Sequence, residues 1–84
     1  MYYIYVLQSS KDNNFYVGYS KSVKNRLLLH NKGKVSATKN RRPFKLVYYE
    51  GCLAQSDALK REKYLKTSWG KRYIKNRLTN YLTG

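Results

Sequence analysis

Apolar and polar positions fall into short blocks with two different periods along the chain. Tyr2 to Leu7 is a run of aromatic and β-branched residues closed by a leucine, the composition of a strand. Ser9-Ser10-Lys11-Asp12-Asn13-Asn14 follows as a turn cluster, and Phe15 to Tyr19 reads as a second strand. Two strands across a short polar loop predict an antiparallel hairpin; centring it on the loop sets Tyr5 opposite Tyr16 and Tyr3 opposite Gly18. Beyond Ser20 the period changes. Val23, Leu27 and Leu28 give an apolar side to a helix capped by Ser20 or Ser22, ending near Asn31, with Gly33 as its stop. Lys34 to Arg42 is a basic polar loop closed by Pro43, a residue suited to the entrance of a third strand, Phe44 to Glu50. Ser56 then caps a helix with Asp57 in its first turn and Ala58, Leu59 and Leu65 as its buried stripe. Ser68 caps a last helix with Ile74, Leu78 and Leu82 spaced at four. The order is β-β-α-β-α-α, without repeats or a linker.

Length and composition narrow the classes. Eighty-four residues make one domain, 1–84, whose core is small, because a chain of this size buries only about 60–65% of its unfolded surface. No apolar run approaches the ~18 residues of a membrane span, and MYYIYVLQSS lacks the basic start of a signal peptide. Cys52 is the only cysteine and His30 the only histidine, which excludes an internal disulfide and a Cys/His zinc site within one chain. A reducing, cytoplasmic setting is the default expectation.

Charge changes the picture most. Eighteen Lys and Arg stand against four Asp and Glu, a net charge of +14. At most four cations can pair internally, and the rest face water or an external polyanion. Ten tyrosines and one tryptophan are interleaved with them. Cations that follow a phosphate backbone and rings that stack on bases suit nucleic acid. The plainer reading is that the tyrosines fill a small sheet core and the charge serves solubility. An anionic membrane surface fits less well, since no long helix sets a broad apolar face against a lysine face.

Three groups of residues break the structural pattern. Glu62 lies four residues after Ala58 and three before Leu65, on or beside the buried stripe of its helix. A buried carboxylate needs a partner or a metal, although Lys60, Arg61, Lys63 and Lys66 also allow a solvated ion pair. Arg26 and His30 are four apart on the first helix and project side by side, a phosphate clamp beside a proton-transfer group or simply one turn of a basic helix. Tyr5 and Tyr16 flank Gly18, a glycine in a strand of the kind that marks close approach by a ligand or another backbone. Ordinary cross-strand aromatic packing is the structural alternative.

Taken in order, Tyr3-Ile4-Tyr5, Tyr16-Val17-Gly18, Arg26, His30 and Glu62 within Ala58-Leu59-Lys60-Arg61-Glu62 resemble the GIY-YIG nuclease superfamily. His30-Asn31-Lys32-Gly33-Lys34 and Arg42-Pro43-Phe44-Lys45-Leu46-Val47-Tyr48-Tyr49-Glu50 lie between them and belong to the same likeness. It runs from Tyr2 to about Leu78 and is strongest to the short stand-alone members. The superfamily also includes the N-terminal incision module of the bacterial excision-repair nuclease. No single piece is specific; the ordered set is. Two positions depart from the pattern: Tyr3 stands where the first signature glycine falls in other members, and Tyr19 where some branches have lysine, a role open to Lys21 or Lys24.

The resemblance implies an α+β fold with a three-stranded antiparallel sheet flanked by helices, and hydrolysis of nucleic-acid phosphodiesters with one Mg²⁺ or Mn²⁺. By position, Tyr5 and Tyr16 are the signature tyrosines, Gly18 the signature glycine, Arg26 and His30 the first-helix pair, and Glu62 the metal-binding carboxylate. Asn76 or Asn80 would fill a further polar position on the last helix. The mechanism it implies has Glu62 holding the ion, Arg26 on the phosphate oxygens, Tyr5 or Tyr16 orienting or deprotonating the attacking water, and His30 accepting that proton or tuning the tyrosine. Gly18, Lys21, Lys24, Lys39, Arg41, Arg42, Lys71, Arg72 and Asn76 are the expected nucleic-acid contacts. DNA, in repair or recombination, is favoured over RNA. The alternatives are an accessory protein that binds nucleic acid without cutting it, and a basic ribosome-associated protein.

Overall fold

A computed structural model describes every residue from Met1 to Gly84. Its elements are β1 (Tyr2–Ser9), β2 (Phe15–Ser20), α1 (Val23–Asn31), a 3-10 turn (Lys39–Arg41), β3 (Phe44–Cys52), α2 (Gln55–Leu65), α3 (Ser68–Arg77) and α4 (Thr79–Thr83). The three strands form one antiparallel sheet in the order β2-β1-β3. The α+β architecture is therefore the expected one, with α4 and the 3-10 turn added.

β1 is the central strand and is covered on both faces, so Ile4, Tyr5, Val6 and Leu7 are all essentially inaccessible. Alternation divides them. Ile4 and Val6, with Val17, meet Ala58, Leu65 and Ile74 of α2 and α3. Tyr5 and Leu7, with Phe44, meet Val23 and Leu27 of α1. The second cluster carries the polar chemistry.

The hairpin register differs from expectation. Tyr5 stands opposite Gly18, Tyr3 opposite Ser20, and Tyr16 opposite Leu7. β1 continues to Ser9, whose N–H donates to Asn14 O at 3.0 Å, while Ser9 Oγ accepts from the N–H groups of Lys11 and Asp12. Asn13 takes a left-handed φ of 62° to close the loop. The whole ladder is thereby offset by an even step from a hairpin centred on the polar cluster. An even step preserves faces, so Tyr5 and Tyr16 still share one side of the sheet.

Helix boundaries and stripes also shift. Ser22, not Ser20, caps α1, and Gly33 follows its end at φ 76° as expected. Val23, Leu27 and His30 form the inward stripe of α1, whereas Leu28 is 48% exposed. On α2, Ala58 and Leu65 are buried but Leu59 is 43% exposed, because the sheet meets the 58–62–65 line of the helix. Ser56 is not a cap: β3 runs on to Cys52, and α2 starts at Gln55 behind Ala54, which makes no side-chain cap bond. Thr67 rather than Ser68 caps α3, accepting from Gly70 N–H at 3.2 Å. Thr79 Oγ1 takes the Asn76 carbonyl at 2.8 Å, and the expected single last helix breaks at Leu78 into α3 and α4. At the far end of α1, Asn31 binds Phe44 through both amide atoms: Oδ1 accepts from Phe44 N at 2.7 Å and Nδ2 donates to Phe44 O at 3.0 Å.

Candidate active site

The site grows from Tyr5. Its ring crosses from β1 over Gly18, where any Cβ would overlap ring carbons and the hydroxyl. Gly18, expected as a nucleic-acid contact, is buried beneath that ring; the close approach it permits comes from Tyr5 of this chain and not from a ligand. The Tyr5 hydroxyl reaches His30 Nε2 at 2.9 Å, and His30 Nδ1 reaches Thr38 Oγ1 at 2.7 Å. His30 and Thr38 are both 0% exposed. Tyr16 packs edge-on against the His30 ring with centroids 4.9 Å apart. Strands, first helix and basic loop thus converge on one imidazole.

Arg26, one turn before His30, completes this group. Its guanidinium lies against the Tyr5 hydroxyl, where it partly offsets the upward push that burial exerts on the Tyr5 pKa. Burial, reinforced by the Arg26 charge, holds the His30 pKa below its ordinary value and favours the neutral imidazole. Arg26 Nε is buried with no acceptor. An unsatisfied buried donor on a cation is costly within the protein alone, and an incoming acceptor would relieve that cost.

Glu62 is half-buried on α2, the helix packed across β1 and β2, and its charge is felt at Tyr5. Its Oε2 accepts from Lys66 Nζ at 3.2 Å. Lys66 in turn borders a groove of about 650 Å³ lined by Tyr16, Asn14, Arg41, Lys71 and Lys75. Tyr16 therefore presents to an open, cation-lined groove while Tyr5 is enclosed at 1% exposure.

The other carboxylates are committed elsewhere. Asp12 pairs with Arg41 at 2.7 Å, and that bond with the Asn14 N–H lowers its pKa to about 2. Glu50 receives Arg61 through Nε at 2.8 Å and Nη2 at 3.0 Å, and the Tyr48 hydroxyl at 2.6 Å; the Arg61 guanidinium holds its pKa below the usual carboxylate value. Asp57 sits in the first turn of α2. No three His, Cys, Asp or Glu side chains cluster as a metal cage. The donor set suits one hard cation taken through a single carboxylate, with water and phosphate oxygens supplying the remainder, a pattern natural to Mg²⁺.

The expected contact residues divide among surfaces. Arg41 and Lys71 line the Tyr16 groove. Lys39 and Arg42 border a separate polar hollow with Lys11, Asn31 and Asn40. Lys21 and Lys24 flank a more apolar hollow with Tyr3, Leu27, Leu46 and Tyr49. Arg72 lies over the Trp69 ring at 5.1 Å. Asn76 and Asn80 are exposed, and neither lines the groove. Sequence reasoning missed Thr38, Asn31 and the Glu50–Arg61 pair. Only the last had a signal, a carboxylate at the end of a strand before a basic helix.

No helix is long and apolar enough to cross a membrane. The family model for the GIY-YIG catalytic domain matches residues 1–77. A UPF0213 protein of Staphylococcus saprophyticus is 45% identical over 67 residues, covering 79% of this chain and 80% of its own length. One from Staphylococcus haemolyticus is 43% identical over the same shares. A UPF0213 protein of Streptococcus pneumoniae is 38% identical over 76% of this chain and 65% of its own. No solved structure matches. The sheet order and these matches agree: the chain belongs to the GIY-YIG nuclease family.

Proposed function

We propose that the protein is a divalent-metal-dependent endonuclease that hydrolyses nucleic-acid phosphodiesters, DNA in preference to RNA, in repair or recombination within the cytoplasm. The observation that carries this reading is the buried Arg26 Nε without an acceptor beside Tyr5 and His30. A phosphate oxygen supplies the missing acceptor, and the guanidinium stabilises the charge that builds on the non-bridging oxygens as the scissile bond opens. Tyr16, facing the groove, orients the attacking water. Tyr5 and His30 are enclosed and hold Arg26 and Tyr16 in place. Glu62 is the residue to hold one Mg²⁺ or Mn²⁺, which when bound polarises the phosphate and stabilises the leaving oxygen. Lys66, Lys71 and Lys75 line the groove and take the flanking phosphates, with Arg41 at its rim. The remaining cations of the first-helix entry and the basic loop serve substrate parts farther from the cut. Residues 1–84 offer little surface for base readout, so the contacts they make rest on substrate structure.

Lys66 already neutralises Glu62 in an ion pair, which favours a second reading, a nucleic-acid-binding accessory protein that does not cut. A cleavage assay separates the two. End-labelled single-stranded, duplex, nicked, flap and four-way DNA, and RNA, are incubated in Mg²⁺, Mn²⁺ or EDTA with wild type and an identically purified Glu62→Ala variant. Metal-dependent cutting that the variant lacks, with its binding equal or stronger, is expected. Salt-sensitive binding without cutting by either protein would overturn the nuclease reading.

A further inference from the structure

His30 spends both ring nitrogens inside the protein, at 2.9 Å from the Tyr5 hydroxyl and 2.7 Å from Thr38 Oγ1. A neutral imidazole offers one N–H and one lone pair, and its partners decide which nitrogen carries the proton. Thr38 breaks the tie. The Val35 carbonyl, an acceptor only, lies 3.4 Å from the Thr38 hydroxyl oxygen and can take the hydroxyl proton. With its proton turned there, Thr38 Oγ1 faces His30 as an acceptor, Nδ1 carries the hydrogen and Nε2 the lone pair. Tyr5 must then donate to Nε2, and its oxygen lone pairs are left for the Arg26 guanidinium beside it.

We propose that Thr38, buried in the loop between α1 and β3, is a positioning residue that fixes the tautomer of His30 and through it the direction of the Tyr5 hydrogen bond beside Arg26. In this assignment the hydrogen bonds run one way, Tyr5 to His30 to Thr38 to the Val35 carbonyl, with the Arg26 guanidinium against the Tyr5 oxygen. The opposite tautomer leaves the Val35 carbonyl without the Thr38 hydroxyl proton and the Tyr5 hydroxyl proton without its buried acceptor. Thr38 is held from both sides: its N–H donates to Val35 O at 3.1 Å, and its carbonyl accepts from Arg41 N–H at 2.9 Å. The segment that carries Lys39, Arg41 and Arg42 thus also sets the orientation of the phosphate-binding arginine. The catalytic consequence rests on the nuclease reading; the tautomer does not.

His30 is the only histidine, so ring-¹⁵N labelling reports one residue. Long-range ¹H–¹⁵N spectra of wild type, Thr38→Val and Thr38→Ser are compared with their turnover on the best substrate of the cleavage assay. Wild type is expected to show a protonated Nδ1 and a bare Nε2. Thr38→Val, isosteric but without an acceptor, shifts the proton toward Nε2 and lowers kcat about 10–100-fold, the scale for losing an outer partner of a functional histidine. Thr38→Ser restores both. A wild-type ring protonated at Nε2 would overturn the proposal, as would a Thr38→Val ring identical to wild type or a changed ring with unchanged turnover. Should Thr38→Val not fold, wild type and Thr38→Ser still decide: a Thr38→Ser ring unlike wild type refutes the assignment. A wild type that cuts nothing refutes the nuclease reading and the catalytic half of this one, while the ring spectrum still decides the tautomer.

Discussion

The ring of Tyr5 lies across the bare α-carbon of Gly18, its partner in the β1–β2 ladder. Any side chain at Gly18 pushes the ring away from His30. Gly18→Ala is expected to cost about 1–3 kcal/mol, the range for overpacking a filled interior, read as a lower urea midpoint with unchanged slope. An unchanged midpoint would show that the Tyr5 ring is not pinned.

The two signature tyrosines should separate by effect. Tyr5→Phe leaves His30 Nε2 buried without its hydrogen-bond partner and should lose about 1–3 kcal/mol of stability. Tyr16→Phe removes a groove-facing hydroxyl for which the structure records no hydrogen bond; its stability should change by less than about 0.5 kcal/mol. Its cleavage rate should fall by about 10²-fold or more. The reverse assignment of losses would mean that Tyr5 is the residue presented to water.

Glu50 and Glu62 are carboxylates in different surroundings, one gripped by Arg61 and Tyr48 and the other paired only with Lys66. Glu50→Gln weakens a two-pronged Arg61 contact and a tyrosine hydrogen bond, and should destabilise by about 1.5–3 kcal/mol. Its activity per folded molecule should stay near wild type. Glu62→Gln should leave the unfolding midpoint within about 0.5 kcal/mol of wild type, because it loses only an exposed-side lysine pair, yet abolish cleavage. Paired urea titrations and cleavage rates check both.

Acid should weaken the fold before carboxylates begin to titrate. The folded state holds the His30 pKa below its ordinary value, so on acidification the unfolded chain takes up the proton first. Stability from this residue is fully present above pH ~6.5 and is lost as pH falls from there toward the lower folded value. Urea midpoints between pH ~7.5 and ~5 should decline in wild type and stay flatter in His30→Gln. Asp12, lowered to about 2, adds its own loss only at more acidic pH.

Periodicity carried the elements, and helix arithmetic carried part of the site. Arg26 and His30 are neighbours because they are four apart, and Glu62 is half-buried because Ala58 and Leu65 are buried. The hairpin register was not legible, since it hangs on a left-handed Asn13 and on hydrogen bonds around Ser9. Leu28 and Leu59 misled because exposed leucines obey the same spacing as buried ones. Gly18 stood out in the sequence, but its neighbour was misread: a glycine shows that something comes near, not what. Thr38 lay in a basic loop without periodicity, and only the third dimension brings it to His30.

β3 is an outer strand of the sheet, and its first residue offers an N–H and a C=O to the outside. Asn31 occupies both, its amide acting as a one-residue substitute for a neighbouring strand. An open edge is a template on which a second chain can grow, and a protein this rich in tyrosine would be prone to such growth. By closing the entry of β3 with its own helix end, the fold resists self-association where the sheet begins. Charge repulsion between copies at +14 guards the rest of the edge in dilute salt. When bound polyanion or high salt removes that repulsion, the asparagine clasp is the protection that remains.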